Sequence, residues 1–141
     1  MSFSLQEEDM NQALFVLQHP PEVLAQQIAL LDHAIFLNIT VDELLDKRFA
    51  DRALKATYSP NVCLLYERFN RAAQWIGSTV VQCLSLEQRV SVLSHMIAIA
   101  HYSKEIGNHF AGIAMVAGLD ATPVKRLSRT WDVRDHFVST L

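Results

Sequence analysis

The sequence has 141 residues, of which 50% are apolar and 19% are charged, and its formal net charge is −3. This length and composition suit one compact globular domain, residues 1–141, and argue against intrinsic disorder. Because no basic cluster is longer than Lys125-Arg126, the chain lacks the electrostatic footprint of a nucleic-acid-binding protein.

The N-terminal part is predicted to contain two helices separated by prolines. Residues 9–18 have the apolar spacing of a short helix. His19-Pro20-Pro21 ends this helix, because proline lacks an N–H and restrains the residue before it. Pro21 then suits the first position of a second, longer helix. The apolar face of the first helix comprises Met10, Leu14 and Leu17.

Helix-start patterns also organise the middle of the chain. Thr40-Val41-Asp42-Glu43 has the spacing of a capping box and predicts a short helix through residues 44 and 45. Residues 46–58 show weak periodicity, which predicts a loop with helical stretches. Ser59-Pro60 combines a hydroxyl cap with proline at the first helical position, so we expect a long helix that ends near residue 83.

The next two helices are predicted from a second capping box and a glycine. Ser85-Leu86-Glu87-Gln88 should open a helix that ends near residue 106. Gly107 suits the left-handed position that follows a helix. Asn108 can then cap a further helix that ends near residue 118.

The last predicted helix begins at Thr122-Pro123 and runs toward Trp131, since this pair repeats the cap-plus-proline pattern. No strand-like alternation persists beyond a few residues, and no repeat or linker is present. We therefore predict an all-α fold, an irregular orthogonal array of about six to seven helices.

Six sequence blocks occur in the order and spacing of one known family. They are Glu22–Phe36 with Ile39–Leu44, Ser59-Pro60-Asn61, Arg68-Phe69-Asn70 with Trp75, Arg89 with Ile97–Ala100, Asn108 with Phe110, and Pro123–Leu127 with Thr130-Trp131. Each block alone is weak, because aromatic residues at helical spacing usually belong to a core. Together, over residues 22–131, they resemble the catalytic domain of Ras-type guanine-nucleotide exchange factors, the RasGEF domain.

The resemblance implies a regulator of a Ras-family small GTPase in signal transduction. Such exchange factors promote GDP release by engaging the switch regions of the GTPase and perform no covalent chemistry, so no catalytic residue and no cofactor are expected. By resemblance, one row of contact residues lies on the long middle helix and a second row on the helix after it. The expected GTPase-binding residues are Cys63, Glu67, Asn70, Ala100, Ser103, Gly107 and Asn108.

For each of these residues a purely structural interpretation stays open. Cys63 and Ala100 are also typical core residues, and Glu67 is also a typical solvated charge. The two asparagines are the least ordinary, since an amide near an apolar face needs a hydrogen-bond partner. Partner contact and local helix capping are equally good interpretations of Asn70 and Asn108.

The sequence also departs from the family pattern. The family's Asn-Phe-Asn element is altered to Asn108-His109-Phe110, and the chain ends before the family's helical hairpin and C-terminal packing segment. We therefore expect only the N-terminal part of a RasGEF-like domain. The alternatives are a docking or scaffold module without exchange activity and a shortened isoform, in which uncovered apolar surface would favour self-association.

Other classes of function find little support. His101, Glu105 and His109 are spaced for one helix face, but Gly107 should end the helix between them, so no metal site is predicted. No nucleophile elbow and no phosphate-binding glycine loop occur. No signal peptide or membrane-spanning run is visible, which predicts a cytoplasmic protein whose membrane recruitment depends on partners.

Overall fold

The computed structural model describes residue 13 and residues 15–139, with side chains placed as far as residue 136. All regular structure in this part of the chain is helical, which confirms the predicted all-α class. Residues 15–18 are helical, whereas Met10 and Leu14 of the first predicted helix lie outside the described residues. The later helices are α1 (Pro21–Leu37), α2 (Val41–Leu44), a 3-10 helix (Leu45–Ala50), α3 (Lys55–Tyr58), α4 (Pro60–Val81), α5 (Leu86–Glu105), α6 (His109–Leu119), α7 (Thr122–Lys125) and α8 (Ser128–Ser139).

Helix α5 lies at the centre and contacts α1, α4, α6 and α8. Its residues Leu93, Met96 and Ile99 are completely buried. Burying an apolar side chain of this size contributes about 1.5–3 kcal/mol to folding. The core cluster continues through Ala25 of α1, Ile76 and Val80 of α4, Met115 and Leu119 of α6, and Val124 of α7.

Helices α4 and α6 make the most extensive contact, and a glycine allows their close approach. A Cβ atom on Gly118 would lie 2.5 Å from the carbonyl oxygen of Ala73 and 3.1 Å from the Cβ of Ile76. At the other end of α6, the rings of Phe69 and Phe110 meet edge to face at 5.7 Å. These contacts place the N-terminus of α6 beside the middle of α4.

Polar contacts attach the start of α1 to α5. The Nε2 of His95 lies 2.9 Å from the carbonyl oxygen of His19, which can only accept, so Nε2 donates. The Tyr102 hydroxyl bonds to the Glu22 carboxylate. This hydrogen bond and the negative charge of Glu22 raise the pKa of Tyr102 above its usual range. The first turn of α1 is thereby held on α5.

Three of the predicted local signals are confirmed. The Ser85 hydroxyl accepts a hydrogen bond from the backbone N–H of Gln88 at 3.1 Å, so this residue caps α5. Gly107 adopts a φ of 85°, the left-handed conformation that glycine tolerates best. The Oδ1 of Asn108 accepts from the N–H of Ala111 at 3.1 Å and caps α6.

The start of α4 at Pro60 is also confirmed, but its predicted cap is wrong. The Ser59 hydroxyl donates to the carbonyl oxygen of Glu43 at 2.7 Å instead of capping its own helix. The Glu43 carboxylate takes the capping role, accepting from the backbone N–H groups of Asn61 at 2.8 Å and Val62 at 3.0 Å. It also accepts from the Asn61 side chain at 2.7 Å. A carboxylate is favoured here because the N-terminus of a helix carries partial positive charge.

The predicted capping box at Thr40 is therefore only partly realised. The helix begins after Thr40, but the Thr40 side chain makes no capping bond in the described structure. Burial of Glu43 disfavours its charged form, but hydrogen bonds from the Asn61 side chain, from the backbone of Val62 and Asn61, and more weakly from Thr40 outweigh it. The pKa of Glu43 consequently lies below its usual value.

Two further segments complete the comparison with the sequence predictions. Residues 46–58 contain the 3-10 helix and α3, as predicted, with Asp46 and Lys47 both at a φ of 54°. A single helix from Thr122 toward Trp131 is wrong, because α7 ends at Lys125 and α8 begins at Ser128. The break lets the Trp131 indole N–H donate to the carbonyl oxygen of Val124 at 3.1 Å.

Candidate functional site

A groove of about 790 Å³ lies between α1, α4 and the turn that joins α5 to α6. Leu30 and Phe36 of α1 are 63% and 61% exposed at this groove, and Ile106 is exposed on the opposite wall. Large apolar side chains that lie exposed side by side mark a surface that binds another molecule. The remaining lining residues are Gln26, Ala29, Asp32, His33, Leu65, Gly107, Asn108, His109 and Phe110.

Asp32 forms the polar floor of the groove and connects three helices. It is only 6% exposed. Its Oδ1 accepts from the Nε of Arg68 on α4 at 3.0 Å. Its Oδ2 accepts from the Nδ2 of Asn108, the residue that caps α6, at 2.9 Å. Because both carboxylate oxygens are used and the charge is paired, a buried acid is tolerated at this position.

A second groove of about 510 Å³ lies along another face of α1. Its walls include Phe15, Leu31 and Trp75, together with Arg71. Asp32 and Phe110 line both grooves, so these two side chains form a shared wall between them.

The residues predicted to contact a partner do not all meet in one place. Gly107 and Asn108 line the 790 Å³ groove. Cys63 is half-buried on α4, while Glu67 and Asn70 are exposed on the same helix, and none of the three lines this groove. The Glu67 carboxylate lies 3.8 Å from the guanidinium of Arg71, four residues away.

The other two predicted residues lie elsewhere. Ala100 lines a third groove, of about 580 Å³, between α5, α6 and α8. Ser103 is completely buried, and its hydroxyl has no hydrogen-bond partner among the described residues. Ser103 therefore packs inside the helical array and does not contribute to the groove surface.

Sequence reasoning assigned no contact residue to α1, although this helix supplies half of the groove. A signal was present in the adjacent leucines Leu30 and Leu31. Neighbouring residues on a helix point about 100° apart, so both cannot face one core. Both are more than half exposed. Asp32 gave no comparable signal, because its two partners are 36 and 76 residues away in sequence.

Searches for other kinds of site add two findings. Within the described residues, no three or more His, Cys, Asp or Glu side chains lie close enough together to hold a metal ion. No helix in the described part of the chain has the length and hydrophobicity that crossing a bilayer requires.

Comparison with known proteins gives a consistent result. The sequence model of the RasGEF domain matches residues 23–139. The chain is similar to Ras guanine nucleotide exchange factor R of Dictyostelium discoideum, with 35% identity over 84% of this chain and 7% of the relative. It is similar to the human Ras-specific guanine nucleotide-releasing factor RalGPS2, with 35% identity over 82% of this chain and 20% of the relative. Cell division control protein 25 of Saccharomyces cerevisiae is 28% identical over 85% of this chain and 8% of the relative. The chain thus spans a fifth or less of the length of these relatives.

Proposed function

Because the chain belongs to the RasGEF domain family, we propose that it binds a Ras-family small GTPase and promotes the release of GDP. An exchange factor of this kind binds the nucleotide-free GTPase more tightly than the nucleotide-bound form. By thermodynamic linkage, that preference weakens nucleotide binding by the same factor. The reaction needs no covalent step and no group that titrates during turnover.

The observation that carries this proposal is the 790 Å³ groove with its exposed apolar walls. Protein interfaces concentrate binding energy in a few large side chains near their centre. Leu30 and Phe36 supply such side chains, and Asn108 adds a polar group at the same groove. Glu67 and Asn70, with the half-buried Cys63, extend the proposed contact along α4. Ala100 and Ser103 stay predictions from the sequence alone.

The test measures the affinity for nucleotide-free GTPase and the release of fluorescently labelled GDP, with a panel of Ras, Rap and Ral proteins. Leu30→Ala should weaken binding about tenfold, as expected for a residue near the centre of an interface. The matched control is Leu84→Ala, since Leu84 is 82% exposed and lines none of the three grooves. This control should leave both measurements unchanged.

The outcomes separate exchange from docking. Accelerated GDP release that Leu30→Ala reduces supports an exchange factor. Tight binding without acceleration favours the docking module instead. No binding to any member of the panel, or equal losses in Leu30→Ala and Leu84→Ala, overturns the assignment of this groove.

A further inference from the structure

We infer that Asp32 is a positioning residue, which holds the Asn108 side-chain amide in the one orientation that lets it pair with a main-chain peptide group of the partner. This inference rests on the proposed function and adds to it the chemistry of one contact. Asp32 itself is nearly buried, so it acts through Asn108.

The orientation of the Asn108 amide follows from its two hydrogen bonds. Its Nδ2 donates to a carboxylate oxygen of Asp32, which can only accept. Its Oδ1 accepts from the backbone N–H of Ala111, which can only donate. A flipped amide would set oxygen against oxygen at Asp32 and hydrogen against hydrogen at Ala111. The two contacts therefore exclude the flipped arrangement.

These bonds leave part of the amide unused. An asparagine side chain has two N–H hydrogens and two oxygen lone pairs. Among the described residues, Asp32 takes one hydrogen of Asn108 and Ala111 takes one lone pair. One donor and one acceptor remain, and the half-buried Asn108 lies on the groove wall. A donor beside an acceptor is the complement of a peptide group.

Arg68 fixes the other side of this arrangement. Its Nε donates to the Oδ1 of Asp32, which directs Oδ2 toward Asn108. The guanidinium also neutralises the carboxylate, so the partner meets no net charge at the floor of the groove. The series from Arg68 through Asp32 to Asn108 thus transmits the position of α4 to the start of α6.

The test is a double-mutant cycle on affinity for the nucleotide-free GTPase. Asp32→Asn has a single acceptor oxygen and cannot serve both Arg68 and Asn108. We expect Asp32→Asn and Asn108→Ala each to weaken binding about tenfold. The double variant should be no weaker than Asn108→Ala alone, because Asp32 acts through that side chain.

A control separates positioning from general loss of stability. Ser85→Ala removes the cap of α5, which touches none of the three side chains, and should lower the melting temperature by a few degrees. Its affinity for the GTPase should equal that of the native chain. Any loss of binding in Asp32→Asn at a comparable melting temperature is then specific.

The results distinguish this inference from the function on which it rests. If the native chain binds no GTPase, the proposed function fails. If the native chain binds and the losses of Asp32→Asn and Asn108→Ala add, or Asp32→Asn lowers the melting temperature without changing affinity, Asp32 is only structural and the inference is wrong.

Discussion

The two halves of α4 are held in place by different kinds of contact. The N-terminal half depends on charged groups, namely the Glu43 carboxylate at Asn61 and Val62 and the Asp32 carboxylate at Arg68. The C-terminal half depends on shape. Ile76 and Val80 are completely buried there, and Gly118 of α6 lies directly against the backbone of Ala73.

The difference explains where a binding surface can form. Directional polar contacts hold a helix at a few points and leave the surface between them open. Close apolar packing covers the surface and excludes a partner. The 790 Å³ groove accordingly borders the polar half of α4, at Leu65, whereas the apolar half lies in the core. The polar half should respond to pH and salt, and the apolar half should not.

The largest effect is expected from Gly118→Ala in the apolar half. The new methyl group would overlap the Ala73 backbone, which cannot move without shifting α4. Overpacking of this kind costs about 2–3 kcal/mol of unfolding free energy, which urea denaturation would measure. Gly112→Ala is the matched control, because the nearest atom to its Cβ would be the Ala100 oxygen at an ordinary 3.7 Å. It should be neutral or stabilising by up to about 1 kcal/mol, since alanine favours helix. Equal losses in the two variants would contradict the close packing described for α4 and α6.

A smaller effect is expected from Arg68→Met in the polar half. Methionine keeps much of the apolar stem but leaves the nearly buried Asp32 carboxylate without its cation. We expect a loss of about 2 kcal/mol in unfolding free energy, measured at low and at high salt. Arg71→Met provides the control, because the Arg71–Glu67 pair is long and mostly exposed, and such pairs contribute less than about 0.5 kcal/mol. If both arginines cost the same, the Asp32 contact is not the one that holds this half of α4.

The smallest effect is expected from Glu43→Gln, and it should depend on pH. The folded-state pKa of Glu43 is lowered, so its charge stabilises the fold above the unfolded-state pKa, and this stability is lost as pH falls through the folded value. At pH 7, replacing the charged acceptor should cost about 1 kcal/mol. The difference from the native chain should vanish in acid, below pH 4.5. Unfolding free energies from pH 7 to pH 3 would show this, and a gap of constant size would remove Glu43 as the charged cap of α4.

The sequence predicted those parts of the fold that depend on neighbours in the chain. Ser85, Gly107 and Asn108 each act within a few residues of themselves, and their spacing was sufficient. Glu43 has the same local pattern, but its carboxylate lies closer to the N–H groups of a helix 18 residues later. Spacing cannot rank a local partner against a distant one. The same limit explains the break between α7 and α8, which depends on tertiary contacts of Trp131 and Thr130.

The candidate site was predicted only in part for a related reason. Gly107 and Asn108 were found because a helix boundary marks them. The contribution of α1 was missed because each of its apolar residues, taken alone, suits a core. Only the folded chain shows that Leu30 and Phe36 are left uncovered beside Asn108.

The two tryptophans give the molecule a built-in optical readout. Trp75 lines the 510 Å³ groove that shares the Asp32 and Phe110 wall, and Trp131 lines the 580 Å³ groove under the guanidinium of Arg134. Indole emission shifts in colour and intensity with the polarity and charge around the ring. Because the chain contains only these two tryptophans, replacing either with phenylalanine leaves a single emitter at a known place. Unlabelled protein can then report separately on the α1 side of the fold and on the corner between α7 and α8.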